Sequence, residues 1–275
     1  MYDVAVIGGG PAGLSAAIQV RARGKSVLVV SGDDRDNPLY KTERIDNYLG
    51  FYDITGAAMM EQFRAHALRM GVERKEGRVL NIMPMNDTFY LSIGSDMEQA
   101  QAVVLATGVV RSAKYPGEGE HLGAGVSYCA TCDGMLYRGK AVAVLGYTDT
   151  ARKEADFLRG LGCSVTYFNN PRTCEIRGDG QVSSVTCDGE TAQVEGVFIL
   201  RPTAAPGDLF PGLTLENGYV AVDRKMATNL PGLFAAGDCT GGPLQVSKAA
   251  GEGLIAGQSA AAYVADLLRA EKKQG

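Results

Sequence analysis

Between an apolar run, Val4 to Ile7, and a helix-compatible stretch from Leu14 to Arg23, the chain places Gly8-Gly9-Gly10-Pro11-Ala12-Gly13. This G-x-G-x-x-G spacing, in a strand–turn–helix setting, constrains the fold more than any other feature. It marks the first βα unit of a dinucleotide-binding sheet. Gly8 makes the tight turn, Gly10 lets a pyrophosphate reach the backbone, and Gly13 lets the helix pack on the strand. Pro11 and Ala12 complete the turn at the helix N-terminus, where free N–H groups and a partial positive charge suit phosphates. The next strand, Lys25 to Val30, should end in an acidic residue for a ribose hydroxyl. It ends instead in Val30-Ser31-Gly32, with Asp33 and Asp34 slightly late. Either Ser31 or one of the aspartates is expected to serve.

A second strand–turn–helix runs from Ala141-Val142-Ala143-Val144-Leu145 into Gly146-Tyr147-Thr148-Asp149-Thr150-Ala151. Thr148 stands where the pyrophosphate-approach glycine belongs, and Tyr147 adds a bulky ring beside it. The following strand, Ser164 to Phe168, leads into Asn169-Asn170-Pro171 with no arginine pair to clasp a 2′-phosphate; Arg172 and Arg177 come later. Each missing charge-assisted bond is worth ~1.5–3 kcal/mol, so tight NADPH binding is not expected here. Two further apolar strands end in small polar turns, Val103 to Gly108 and Leu233 to Asp238, the latter before a glycine-spaced helix from about Gln245 to Arg269. Both would close around the first unit. The expected fold is α/β, with two Rossmann-like, three-layer ββα domains, the second shortened and inserted in the first. Residues 1–111 and 201–275 form the first domain and 112–200 the degenerate NAD(P)H-type one, with hinges at Ser112 to Pro116 and Arg201-Pro202.

A chain of 275 residues is long enough for two cores. Glycine, at 36 residues, is about twice as frequent as usual, which fits many tight βα turns. A net charge of −4, with no basic tract beyond Lys272-Lys273, gives no support to nucleic-acid or membrane-surface binding. No spanning segment or signal-like start is read, so a cytoplasmic location is expected. Six cysteines are too few for a disulfide scaffold, and one catalytic pair in a reducing setting is expected. That pair is Cys129-Ala-Thr-Cys132, followed by Asp133. In a CxxC turn one thiol is depressed to a pKa of ~3.5–7.5, and the second resolves the mixed disulfide. Half a zinc site is the rival reading, but the chain has no second CxxC and only His66 and His121, so no metal is expected. Cys163 and Cys239 are read as packing residues, and Cys174 and Cys187 as scattered.

Taken in order, Gly8 to Gly13, Ile45-Asp46-Asn47-Tyr48-Leu49-Gly50, Ala106-Thr107-Gly108, Cys129 to Gly134 and Ala235-Ala236-Gly237-Asp238 resemble the low-molecular-weight thioredoxin reductases along nearly the whole chain. The altered second loop, the short middle domain and Phe198-Ile199-Leu200-Arg201-Pro202 resemble most the ferredoxin-dependent, pyridine-nucleotide-independent branch of clostridial type. The resemblance implies FAD held around Gly8 to Gly13, Val79 near the adenine and Asn47 on the isoalloxazine side. It implies Ala106, Thr107 and Gly108 along the dinucleotide and Gly237 and Asp238 at the ribitol–phosphate, with Gln245 and Val246 starting the helix beneath the flavin. Cys132 would face the flavin, Cys129 would attack the partner disulfide, and Asp133 would move the proton. Thioredoxin as substrate, ferredoxin as donor and a homodimer follow from the same likeness. One departure is that Pro243 and Leu244 precede Gln245 where NADPH-using relatives carry arginine. Alternative functions are an FAD-dependent dithiol oxidase, a non-catalytic flavin redox sensor, or an NADPH-dependent reductase if the altered loop still binds NADPH.

Overall fold

A computed structural model of the protein describes residues 1–109, 114–148, 150–201 and 205–274. The chain separates into two compact units, Met1–Arg111 with Thr203–Gly275, and Ser112–Pro202. Of the expected hinge residues, Ser112, Ala113 and Pro202 lie outside the described residues, as does Asp149 of the second turn.

The first unit begins β1 (Tyr2–Ile7), α1 (Pro11–Ala22), β2 (Val27–Ser31), α2 (Gly56–Arg69) and β3 (Glu73–Glu76). It continues through β4 (Val79–Met85), β5 (Thr88–Ile93) and β6 (Asp96–Leu105). α1 starts earlier than its apolar pattern because Pro11 occupies the first helical position, where an N–H is not needed. β1 lies parallel between β2 and β6, with Val6 opposite both Val29 and Val104. A strand buried on both faces reads as a continuous apolar run, which is why Val4 to Ile7 shows no alternation.

The second unit contains β7 (Val126–Ser127), α3 (Ala130–Asp133), β8 (Ala141–Gly146), α4 (Ala151–Gly160) and β9 (Ser164–Asn169). β10 (Cys174–Asp179), β11 (Gln181–Cys187), β12 (Glu190–Gln193) and β13 (Gly196–Leu200) complete it. A parallel sheet in the order β7-β13-β8-β9 forms its middle layer, and β10-β11-β12 form a separate antiparallel sheet. One core cluster joins Ala130, Leu158, Phe198 and Leu200; the other joins Ile176, Val185, Val197 and Ile199. Alternate residues of β13 thus serve opposite faces.

The chain then returns to the first unit with α5 (Pro206–Leu209), β14 (Leu215–Glu216), β15 (Tyr219–Val220), β16 (Leu233–Ala235) and α6 (Val246–Gln274). Its main sheet has the order β3-β2-β1-β6-β5-β4, with β16 beside β6. Val4, Val6 and Val104 pack with Ala16, Ala17 and Ala256 of the helices, while Ala5 and Ile7 pack with Val79 and Leu91 of the antiparallel β4–β5 arm. α6 lies tight on α1 because Gly253 and Gly257 bring backbone to backbone: a Cβ at either would overlap the carbonyl oxygens of Ala12 and Ala16. Among the described residues no helix is long and apolar enough to cross a membrane.

One expectation needs correction. Cys174 and Cys187 are not scattered thiols but a second disulfide, formed where they stand directly opposite in the β10–β11 register with Cα atoms 4.2 Å apart. Their separation of 13 residues carries no motif; only the hairpin register brings them together.

Candidate active site

The glycine loop is shaped by what it cannot hold. Gly8 has φ +115°, and a Cβ there would overlap the Ala106 carbonyl oxygen; its N–H donates to Val30 at 2.8 Å. A Cβ at Gly13 would overlap the Gly8 carbonyl, so the helix can sit this close to the strand only with glycine there. Gly10 is the N-cap of α1 with no side-chain cap, so the first-turn amides have no side-chain acceptor. The Asn37 side chain accepts from Leu39 N–H at 2.9 Å, which turns its amide nitrogen toward Gly10, 3.2 Å from where a Cβ would stand. At the end of β2, Ser31 Oγ accepts from Arg74 Nε at 2.9 Å and lies 2.7 Å from a would-be Cβ at Gly9. Asp33 is bound by Arg35, whose hydrogen bonds hold its carboxyl down at about 2, and Asp34 pairs with Arg64 and Arg74. Ser31 is thus the residue beside Gly9 of the loop, and Ser31, Asp33 and Asp34 each carry an arginine contact.

Two turns from distant parts of the sequence meet this loop. Ala236 N–H donates to Leu105 at 2.8 Å, and Gly237, at φ +86°, comes so near α1 that a Cβ would stand 2.7 Å from Ala12 Cβ. Thr107 Oγ1 and Asp238 Oδ1 are buried without a hydrogen-bond partner. Burial, reinforced by the charge of Glu252 and opposed by Lys248, raises the Asp238 carboxyl above its ordinary value. Orphaned polar atoms beside a glycine-lined helix N-terminus fit a ligand bearing both hydroxyls and phosphates. Asn47 Nδ2 donates to Gln245 Oε1 at 2.9 Å, so these two sequence candidates do come together, just before Val246 opens α6. Val79 is only 3% exposed, so its side chain belongs to the core. Burial lifts the Cys239 thiol to about 11, in keeping with a packing residue.

The redox turn lies in the second unit. Cys129 and Cys132 are joined as a disulfide with Cα atoms 5.4 Å apart. Cys129 is buried and Cys132 exposed, and Cys132 N–H donates to Cys129 Sγ at 3.1 Å. Ser127 Oγ donates to Asp133 Oδ2 at 2.7 Å and accepts from Cys129 N–H at 3.1 Å. From α4, Glu154 Oε2 accepts from Ala130 N–H at 3.2 Å. An exposed sulfur, a buried partner and an adjacent carboxylate are the groups that thiol–disulfide exchange uses.

The second βα turn is closed by its own side chains. The Tyr167 hydroxyl occupies the space where a Gly146 Cβ would stand, and Arg152 lies over the Tyr167 ring at 5.0 Å. Thr148 Oγ1 accepts from Ala151 N–H at 3.2 Å, taking an α4 N-terminal amide that a phosphate would otherwise use. The Tyr147 hydroxyl shares a hydrogen bond with the Tyr115 hydroxyl and reaches Pro171 O at 3.4 Å. Burial and the Tyr115 hydrogen bond hold the Tyr147 phenol well above its ordinary range. Beneath them Arg201 makes a bidentate pair, at 2.6 and 2.8 Å, with Glu118, which has no exposed surface.

The sequence matches the family described as pyridine nucleotide-disulphide oxidoreductase over residues 2–174 and 168–253. It is 33% identical to a thioredoxin reductase of Listeria innocua, over 98% of this chain and 96% of that protein. The chain belongs to the low-molecular-weight thioredoxin reductases. It is a flavoprotein oxidoreductase with a redox-active disulfide. This reductase is also similar to a crystal structure of a ferredoxin-flavin thioredoxin reductase from Clostridium acetobutylicum, at 40% identity and a TM-score of 0.91, covering 97% of this chain and 98% of that one. A thioredoxin reductase from Gloeobacter violaceus follows, at 28% identity and a TM-score of 0.84, covering 96% and 94%.

Sequence reasoning missed the groups that hold this reductase's site in shape. Lys248 Nζ donates to the carbonyls of Gly237 and Gly241 at 2.8 and 2.6 Å, and Glu252 Oε2 accepts from Gly237 N–H at 2.9 Å. Together they clamp the Gly237–Asp238 turn to α6. A Lys/Glu pair at i,i+4 on a helix of small residues was the available signal. Tyr167, Asn37 and Ser127 carried none.

Proposed function

We propose that this reductase takes electrons from a reduced ferredoxin, uses FAD as its resident cofactor, and reduces a thioredoxin disulfide with Cys129 and Cys132. The observation that carries the reading is the second βα turn, where the Tyr167 hydroxyl covers Gly146, Thr148 stands at the phosphate-approach position and takes an α4 amide, and Tyr147 adds a ring beside it. The likeness to the ferredoxin-flavin thioredoxin reductase of Clostridium acetobutylicum supports the same donor. Residues 8–13, Ser31, Asn47, Thr107, Gly108, Asp238 and Gln245 would hold the FAD. Its phosphates would meet the free amides of α1, and its hydroxyls would meet Thr107 and Asp238. When bound, FAD supplies the exchange between one-electron and two-electron chemistry.

The chain's own part is thiol chemistry. By the same likeness Cys132 faces the flavin, Cys129 attacks the substrate disulfide and Asp133 moves the proton; Cys132 is the exposed residue of the pair, and its amide donates to Cys129 Sγ. The energetics favour such a donor: a plant-type ferredoxin near about −400 mV lies about 130 mV below thioredoxin, roughly 6 kcal/mol downhill for two electrons. An anaerobic titration tests the reading. Reduced ferredoxin bleaches the flavin absorbance, whereas NADPH and NADH leave it unchanged; rapid bleaching by NADPH would refute the proposal.

A further inference from the structure

Ser127 is only 4% exposed, and its backbone is fixed where β7 pairs with β13, opposite Phe198. Its hydroxyl has three neighbours. Cys129 N–H donates to it at 3.1 Å, Asp133 Oδ2 lies at 2.7 Å, and Cys129 O lies at 3.2 Å. A hydroxyl has one proton and two lone pairs, so it cannot donate to both oxygens fully at once. With Asp133 ionised, the shorter, charge-assisted bond to Oδ2 takes the proton. With Asp133 protonated, the acid O–H can donate to Ser127 Oγ while the serine proton turns to Cys129 O. Every buried polar atom keeps a partner in either state.

We infer that Ser127 is a positioning residue for disulfide exchange, a rotating hydroxyl that lets Asp133 take up and release a proton without leaving the redox turn unsatisfied. The inference rests on the proposed roles of Cys129, Cys132 and Asp133. In the exchange a thiolate of the reduced pair attacks one sulfur of a substrate disulfide, the substrate S–S bond breaks, and the departing sulfur takes a proton. The second cysteine then attacks the mixed disulfide, releases the other substrate sulfur and re-forms the Cys129–Cys132 bond. Two electrons and two protons pass from the enzyme dithiol to the substrate. Asp133 ferries protons from cysteine thiol to departing sulfur, and Ser127 turns once in each direction as it does so. Among the described residues, the other titratable groups around the turn are the two cysteines, Tyr128, whose hydroxyl turns to Glu118, Tyr137 after α3, whose phenol is raised by burial and by the Asp133 charge, and Glu154 from α4.

The test uses the full-length flavoprotein, reduced anaerobically with dithionite and mixed with the disulfide DTNB in a stopped-flow instrument across a range of pH. Ser127→Thr and Ser127→Val have the same shape and differ in the hydroxyl, so their comparison holds even if Ser127→Ala fails to fold. The expected result is about tenfold or slower exchange in S127V than in S127T, with a displaced pH profile. In an Asp133→Asn background the difference between the two should nearly vanish, because Ser127 acts through that carboxylate. Equal rates and superposed pH profiles for S127T and S127V would overturn the inference. So would a loss of the same size in the D133N background, which would mean that Ser127 only supports the backbone. If the wild-type dithiol reduces neither DTNB nor a thioredoxin disulfide under the same conditions, the exchange role of the cysteines fails, and the Ser127 role with it. A wild type that reacts, with an unmoved S127V, removes the Ser127 role alone.

Discussion

A methyl group at residue 8 would overlap the Ala106 carbonyl, and the left-handed φ of +115° disfavours any side chain there. Gly8→Ala is therefore expected to cost ~3 kcal/mol or more and to yield protein with little bound flavin, read from a denaturant melt and the visible absorbance of the purified protein. Glu118 works by charge. Burial pushes its carboxyl upward, but the Arg201 guanidinium, the Tyr115 amide and the Tyr128 hydroxyl outweigh that and leave it below the usual carboxylate range. A carboxylate depressed on folding adds stability that is fully present above the ordinary glutamate value of about 4.3 and is lost as pH falls through Glu118's own lower value. Glu118→Gln removes the carboxylate that takes both guanidinium hydrogen bonds of Arg201, so urea melts at neutral pH should show a loss of ~1.5–3 kcal/mol that shrinks in acid. An equal deficit at low pH would disprove the electrostatic account.

At the scale of elements, the β10–β11 hairpin is closed by Cys174 and Cys187. The chain has six cysteines, of which only Cys163 and Cys239 are free, so unreduced protein unfolded in denaturant should show two reactive thiols, rising to six after reduction. Four thiols before reduction would mean that the second bridge does not form. For a separation of 13 residues, chain entropy puts the bridge at about 3 kcal/mol, the loss expected in a Cys174→Ala, Cys187→Ala double variant. The redox turn and the glycine loop could be read directly because each compresses its chemistry into six or fewer consecutive residues. The second disulfide could not, since it depends on which strand residues face each other. The same holds for Lys248 and Glu252 around Gly237, and for Glu118 with Arg201, 83 residues apart.

For the whole molecule, the alternation of βα units and the returning strands made the plan of two Rossmann-like sheets legible in advance. The sequence could show that Thr148 stands at the approach glycine with Tyr147 beside it, but not that Tyr167 reaches over Gly146 from the next strand. A Tyr147→Gly, Thr148→Gly variant is accordingly expected to remain unresponsive to NADPH, because that hydroxyl still covers the turn. Flavin bleaching by NADPH in the double variant would show that Tyr167 moves aside at little cost. The clamp between α1 and α6 has a further consequence. Ala12 is synthesised well before Gly253, the residue that seats against it. The strand that carries the Gly237–Asp238 turn is also late, and it must slot beside β6. The nascent chain can therefore hold a finished glycine loop but no closed cradle, and a cofactor held as proposed would find its full set of contacts only after α6 has emerged.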